Sequence, residues 1–177
     1  MIRDLSSVYR ENGVFCSSDL NIDNLAKIFD IHVVYYPVES SSIMKIPVCE
    51  GVIWNIATID SKLPKKFQYE VFCHELAHFL LGHSSGDIYS YVKKLKDESQ
   101  ADKLSLYIAI PTSMLLDIDI TSKDAVDDIA STFRVSKKFA YERLQLLVED
   151  MSNRRFYISK ASQKRYTQWL HENILCS

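Results

Sequence analysis

The stretch Phe72-Cys73-His74-Glu75-Leu76-Ala77-His78-Phe79-Leu80-Leu81 constrains this chain most, because it sets three strongly polar side chains into an apolar run. Burying a carboxylate and two imidazoles is costly unless something binds them. On an α-helix four residues turn the chain by about 400°, so His74 and His78 stand one turn apart on the same face. Two imidazoles so placed can grip one zinc ion, and Glu75 sets a carboxylate beside the metal, able to take a proton from water without being a ligand. With five His and nine Glu in 177 residues, the pattern arises by chance in roughly one such chain in a hundred. The apolar setting makes chance poorer still. The motif points to a metal site with its own base, suited to metal-assisted hydrolysis.

The flanking sequence predicts a mostly helical α+β chain. Residues 4–12 and 22–30 read as two lead-in helices, the second with Asn21 as N-cap. Residues 31–38, rich in β-branched and aromatic side chains, read as a strand, and residues 44–46, 48–54 and 56–59 offer further strand material around Gly51. A small sheet of about three strands beside the motif helix is expected, its exposed edge able to hold an extended peptide or to be an ordinary sheet edge. Pro64 suits a first helical residue and Gly82 a left-handed stop, so the motif helix should run over 64–81. Residues 84–96 read as a polar connection, and the next helix should run from 97 to 110, stopping at Pro111. Three more helices are expected over 122–133, 136–150 and 160–174, with Thr121 or Ser122, Ser136 and Ser159 as N-caps.

A catalytic zinc keeps three protein ligands and one open position. His83 follows Gly82, yet glycine and histidine each miss by one residue the register of the longer pattern H-E-x-x-H-x-x-G-x-x-H. A glutamate from the following helix fits better, and Glu98-Ser99-Gln100-Ala101-Asp102 supplies one with a second carboxylate four residues on. Glu98 is then the third ligand and Asp102 the partner that hydrogen-bonds a ligand histidine. Asp97 is the nearest rival ligand. Ala101 is small enough for the two helices to approach closely. His83 is a candidate donor to the oxyanion of a tetrahedral intermediate, as is any of the ten tyrosines.

Length and composition bound the rest. The expected organisation is a metallopeptidase core over 1–118 followed by a helical segment over 119–177 that packs on it. A net charge of -2 gives no overall bias toward nucleic acid or membrane. Met1 to Ser7 hold no apolar leader and no run approaches membrane-spanning length, so a cytoplasmic protein is expected. Cys16, Cys49, Cys73 and Cys176 are scattered without C-x-x-C and read as free thiols. Cys73 adjoins His74, but neighbouring helix positions diverge by about 100°, so core packing is its expected role.

Taken in order, Ile22-Asp23-Asn24-Leu25-Ala26-Lys27, the metal helix over 72–83, Glu98-Ser99-Gln100-Ala101-Asp102 leading to Ile110-Pro111, and Ile129-Ala130-Ser131-Thr132-Phe133-Arg134-Val135-Ser136 followed by Arg143-Leu144 resemble the ImmA/IrrE family of zinc metallopeptidases. The resemblance covers about residues 20 to 148. It implies a gluzincin-like site and limited proteolysis of a regulatory protein, often a helix-turn-helix repressor encoded on a phage or other mobile element. Carried over residue by residue, His74, His78 and Glu98 match the ligands of one catalytic zinc ion and Glu75 the catalytic base. Gln100 stands where family members often carry a second acidic residue. Longer relatives add a C-terminal sensory domain; 177 residues leave no room for one, so activation is expected from elsewhere.

A competing reading is a DNA-binding or interaction module that binds zinc and acts on a repressor without cleavage. Residues 122–133 and 136–150 read as helix, short turn and helix, and residues 134–165 carry nine basic and three acidic residues, net +6. That is a local basic footprint. Asp124, Asp127 and Asp128 on the preceding helix would repel phosphate.

Overall fold

A computed structural model describes residues 5–49, 51–83 and 91–152. Helices α1 (Leu5–Glu11) and α2 (Ile22–Ile28) lead into strands β1 (Ile31–Tyr36), β2 (Ser42–Cys49) and β3 (Val52–Asp60). Then come α3 (Lys65–Leu81), α4 (Tyr91–Ala109), the single turn α5 (Thr112–Leu115), α6 (Ala125–Phe133) and α7 (Lys137–Ser152). The α+β class and the small sheet agree with expectation. No described helix is long and apolar enough to cross a membrane.

The Asn21 side chain accepts from Asn24 N–H at 2.9 Å and starts α2 as the sequence suggested. The helix stops at Ile28 rather than 30, because Asp30 takes φ 53° and turns the chain into β1. The sheet order is β1-β3-β2, with β1 parallel to β3 (Ile31↔Asn55) and β2 antiparallel to it (Ser42↔Thr58). The three short strand pieces expected after residue 44 join into two strands. Pro47, which cannot donate to a ladder, is tolerated because β2 is an edge strand, and the register shifts between Pro47 and Cys49. Ala57 and Ile59 are fully buried on β3, and α3 lies against β3 and β2.

α3 begins just after Pro64 and ends at Gly82, whose φ of 68° is the left-handed stop that the sequence predicts. α4 starts at Tyr91, six residues earlier than expected. Lys93, Lys94 and Lys96 are exposed on its first turns, and lysine is a good helix former, so their polarity marked a solvated helix face rather than a loop. At the other end Pro111 stops the helix and leaves its last carbonyls without intrahelical donors. Three side chains from elsewhere supply them: Tyr9 Oη donates to Ile108 O at 2.8 Å, Tyr69 Oη to Ala109 O at 3.3 Å and Arg143 Nε to Ile110 O at 2.8 Å. The turn α5, which the sequence reading missed, starts directly on Pro111.

α6 begins at Ala125 instead of 122, because Asp119, Thr121 and Ser122 close local turns, with Thr121 Oγ1 donating to Asp119 at 2.6 Å and Asp124 N–H to Ser122 Oγ at 3.2 Å. Ser136 caps α7 by accepting from Phe139 N–H at 3.2 Å. Ala125, Ile129, Phe133, Ala140, Leu144 and Leu147 join the same core as Leu25, Phe72, Leu76 and Ile108. The helix expected over 160–174 and its cap Ser159 lie outside the described residues.

Arg143 is the largest fully buried side chain. It donates to Ile110 O and, through Nη2, to Thr112 Oγ1 at 2.7 Å, and its guanidinium lies 4.6 Å from the centre of the Tyr107 ring. Tyr107 donates in turn to the buried Asp150. Burial lowers the Arg143 pKa to about 10, against the pull of Tyr107 and Asp150. Arg143→Ala would leave the Ile110 carbonyl without its donor and the buried Asp150 carboxylate without a neighbouring cation, and denaturant unfolding should show a loss of roughly 3–5 kcal/mol.

Candidate metal centre

His74 and His78 leave α3 one turn apart and meet Glu98 from the second turn of α4. The two imidazoles that the apolar run could not satisfy therefore face a second helix instead of the core. Their ring nitrogens Nε2 are 3.0 Å apart, and Glu98 Oε2 lies 3.4 Å from His74 Nε2 and 3.5 Å from His78 Nε2. Among the described residues this is the group of His, Cys, Asp and Glu side chains that could hold a metal.

The donor set and its spacing both fit zinc. Bonds of roughly 2.0–2.1 Å in a tetrahedral site place neighbouring ligand atoms about 3.3 Å apart, and the observed edges of 3.0, 3.4 and 3.5 Å bracket that value. Two imidazoles and one carboxylate make a three-ligand set that leaves one position open, as catalytic zinc sites do. Asp102 Oδ1 lies 3.1 Å from His74 Nδ1. A carboxylate only accepts, so His74 carries its proton on Nδ1 and turns the bare Nε2 toward the group.

Glu75 is half-buried beside these atoms. Burial pushes its carboxyl up from the ordinary 4.5 to about 7, His74 opposing the rise and Glu98 adding to it. A cation bound nearby lowers it again. Burial likewise holds the His78 imidazole below its usual pKa, the neighbouring His74 acting in the same sense.

Sequence reasoning brought together His74, His78, Glu98, Glu75 and Asp102, and the structure places all five at one spot. It corrects the expectation for His83. That ring is turned against the outer edge of His78, with the two Nδ1 atoms 3.0 Å apart, so it does not face the open side of the group where an oxyanion would form. Asp97, the rival ligand, is not in the group either: its Oδ1 lies 3.7 Å from His83 Nε2. The signal for His83 was Gly82, since a left-handed stop carries the next residue back over the final turn. Cys73 is fully buried in the core, as expected, and burial raises its thiol pKa. Cys16 and Cys49 are free thiols. A cleft of about 560 Å³ between α3, α4 and α7 reaches the far edge of His74 and is lined by Glu70, Asp102, Lys103, Lys138, Phe139 and Glu142.

A histidine pair on one helix, joined by a carboxylate from the next and backed by a small mixed sheet, defines a domain of metallopeptidase type. The chain belongs to the M78 peptidase family, the IrrE N-terminal-like domain, which residues 26–145 match. It is similar to the uncharacterized protein YqaB of Bacillus subtilis, 24% identical over 96% of this chain and 91% of that protein. It is also similar to the phage-like element PBSX protein XkdA of the same organism, 28% identical over 80% of this chain and 70% of that one. No solved structure matches the chain.

Equilibrium dialysis followed by metal analysis should find one zinc ion per chain for wild type and for Glu75→Gln, and none for His74→Ala. In the metal-free protein, Glu75→Gln should stabilise the fold. The native carboxyl ionises only near 7 whereas the unfolded one ionises near 4.5, so wild type loses stability across that interval and the variant does not. The gain should grow from pH 4.5 to 7 and level off above, as read from denaturant midpoints.

Proposed function

We propose that this protein is a zinc-dependent endopeptidase that cuts a regulatory protein at a specific bond, the substrate being a helix-turn-helix repressor of a phage or other mobile element. The convergence of His74, His78 and Glu98, with Glu75 at the next position of the same helix, carries the reading. Zinc held by those three side chains would supply Lewis acidity toward a scissile carbonyl and acidify a water molecule. Glu75 takes a proton from the attacking water and delivers it to the leaving amine nitrogen. The hydroxyl joins the carbonyl carbon, the C–N bond breaks, and Glu75 returns to the carboxylate.

The substrate class is supported by the family resemblance and by the likeness to a protein of a phage-like element. Direct DNA binding through α6 and α7 has less support. Of the basic residues over 134–165, four lie among the described ones. Arg143 is buried, Lys137 and Lys138 pair with Asp127 and Glu142, and Arg134 donates to the Ser17 and Leu20 carbonyls. Such cations are poorly placed for phosphate.

Incubation with the helix-turn-helix repressor encoded beside the gene, with fragments read by mass spectrometry, tests the proposal. Wild type should yield one cut, abolished by a zinc chelator and by Glu75→Gln. A stable complex without any cut would instead favour action by contact alone.

A further inference from the structure

The end of α3 holds a hydrogen-bonded pair of imidazoles, His78 and His83, with the Asp97 carboxylate close by, that the cleavage steps above leave unused. Its origin is the backbone at Gly82, where φ of 68° reverses the chain. His83 N–H then donates to His78 O, five residues back, at 3.1 Å, and Gly82 N–H to Phe79 O at 3.2 Å. This form of helix stop folds the residue after the glycine over the last turn. The His83 ring comes to rest on that of His78, centroids 5.1 Å apart and planes at 66°. Asp97 lies beyond it, on α4. The His83 and Asp97 side chains are only 13% and 15% exposed, whereas Asp102 behind His74 is 71% exposed.

The polarity of the pair is set from its far end. The Asp97 carboxylate, 3.7 Å from His83 Nε2, is too far for a hydrogen bond, but its negative charge favours a proton on that nitrogen, which leaves Nδ1 as an acceptor. His78 must then donate from Nδ1. Its Nε2, which faces His74 Nε2 and Glu98 Oε2, is then the nitrogen left to serve as a ligand atom when a metal is bound. The other tautomer of His78 would put a proton where a ligand atom is required.

We propose that His83 is a positioning residue of the metal centre, holding His78 in the tautomer and orientation that bind zinc, with Asp97 anchoring His83 from α4. This rests on the reading of His74, His78 and Glu98 as ligands. It assigns three carboxylates of α4 to one site: Glu98 on the metal, Asp102 behind one histidine and Asp97 behind the partner of the other. The buried arm through His83 is the less screened of the two.

The test is zinc affinity of the metal-free full chain, measured by competition with a chromophoric chelator, together with the absorption spectrum of the cobalt(II) form. Loss of an outer-shell partner costs about 10–100-fold in metal affinity, and His83→Leu should fall in that range with an altered cobalt spectrum. His83→Asn, whose Oδ1 can stand in for the lost Nδ1 as acceptor, should recover much of the affinity, with Asp97→Asn between wild type and His83→Leu. Thermal melting of the metal-free variants separates positioning from folding, because a purely structural role would move the melting point and leave the cobalt spectrum alone. Wild-type affinity and spectrum in His83→Leu would overturn the proposal and leave the ligand reading standing. Should that variant not fold, Asp97→Asn decides: affinity weakened by about threefold or more supports the proposal, and unchanged affinity overturns it. Wild-type zinc affinity in His74→Ala would sink the ligand reading, and the proposal with it.

Discussion

The close packing of α3 against α4 is the constraint on which the rest of the structure depends. Neither helix carries a site alone: α3 supplies two imidazoles and a base, α4 a row of carboxylates. Ala77 on α3 and Ala101 on α4 are both fully buried, and residues of that size let two helices approach closely. The contact is fixed by the surrounding core, where Phe72, Leu76 and Ile108 have no exposed surface and each contributes about 1.5–3 kcal/mol by leaving water. The same burial desolvates Glu75 and raises the affinity of its carboxyl for a proton.

The edges of the site differ in how they meet solvent. His74 is backed by an open carboxylate over a cleft, His78 by an imidazole and a carboxylate that are both largely covered. Each arrangement sets a polar partner against the outer nitrogen of a ring whose inner nitrogen faces the other two side chains of the group. The two arms come from different parts of the fold, one from a helix face and the other from a helix end.

Much of this was legible in the sequence because periodicity and chemistry agreed. Polar residues at a helical step inside an apolar run have few solutions, and Glu98 with Asp102 repeats that step on the next helix. The edge of the polar segment before α4 was less legible: lysines serve a solvated helix as well as a loop, and only packing shows which. β2 and β3 were read as three pieces, because proline interrupts a pattern without ending an edge strand. The position of His83 was less legible for a different reason. It depends on a backbone reversal at Gly82, and a residue beyond a left-handed turn does not follow the helical wheel on which the rest of the motif was laid out.

The capping of α4 has a consequence further back along the helix. Tyr9, Tyr69 and Arg143 reach its last carbonyls from α1, α3 and α7, ten residues and so about 15 Å along the axis from Glu98. They act as three clamps on one end of a rigid bar. Asp97, Glu98 and Asp102 lie along the middle of the same helix and turn or slide together, so the three carboxylates are set as a unit, by the rotation of one helix. Residues that never approach the His74, His78 and Glu98 group thereby set its geometry, although their own task is to finish a helix.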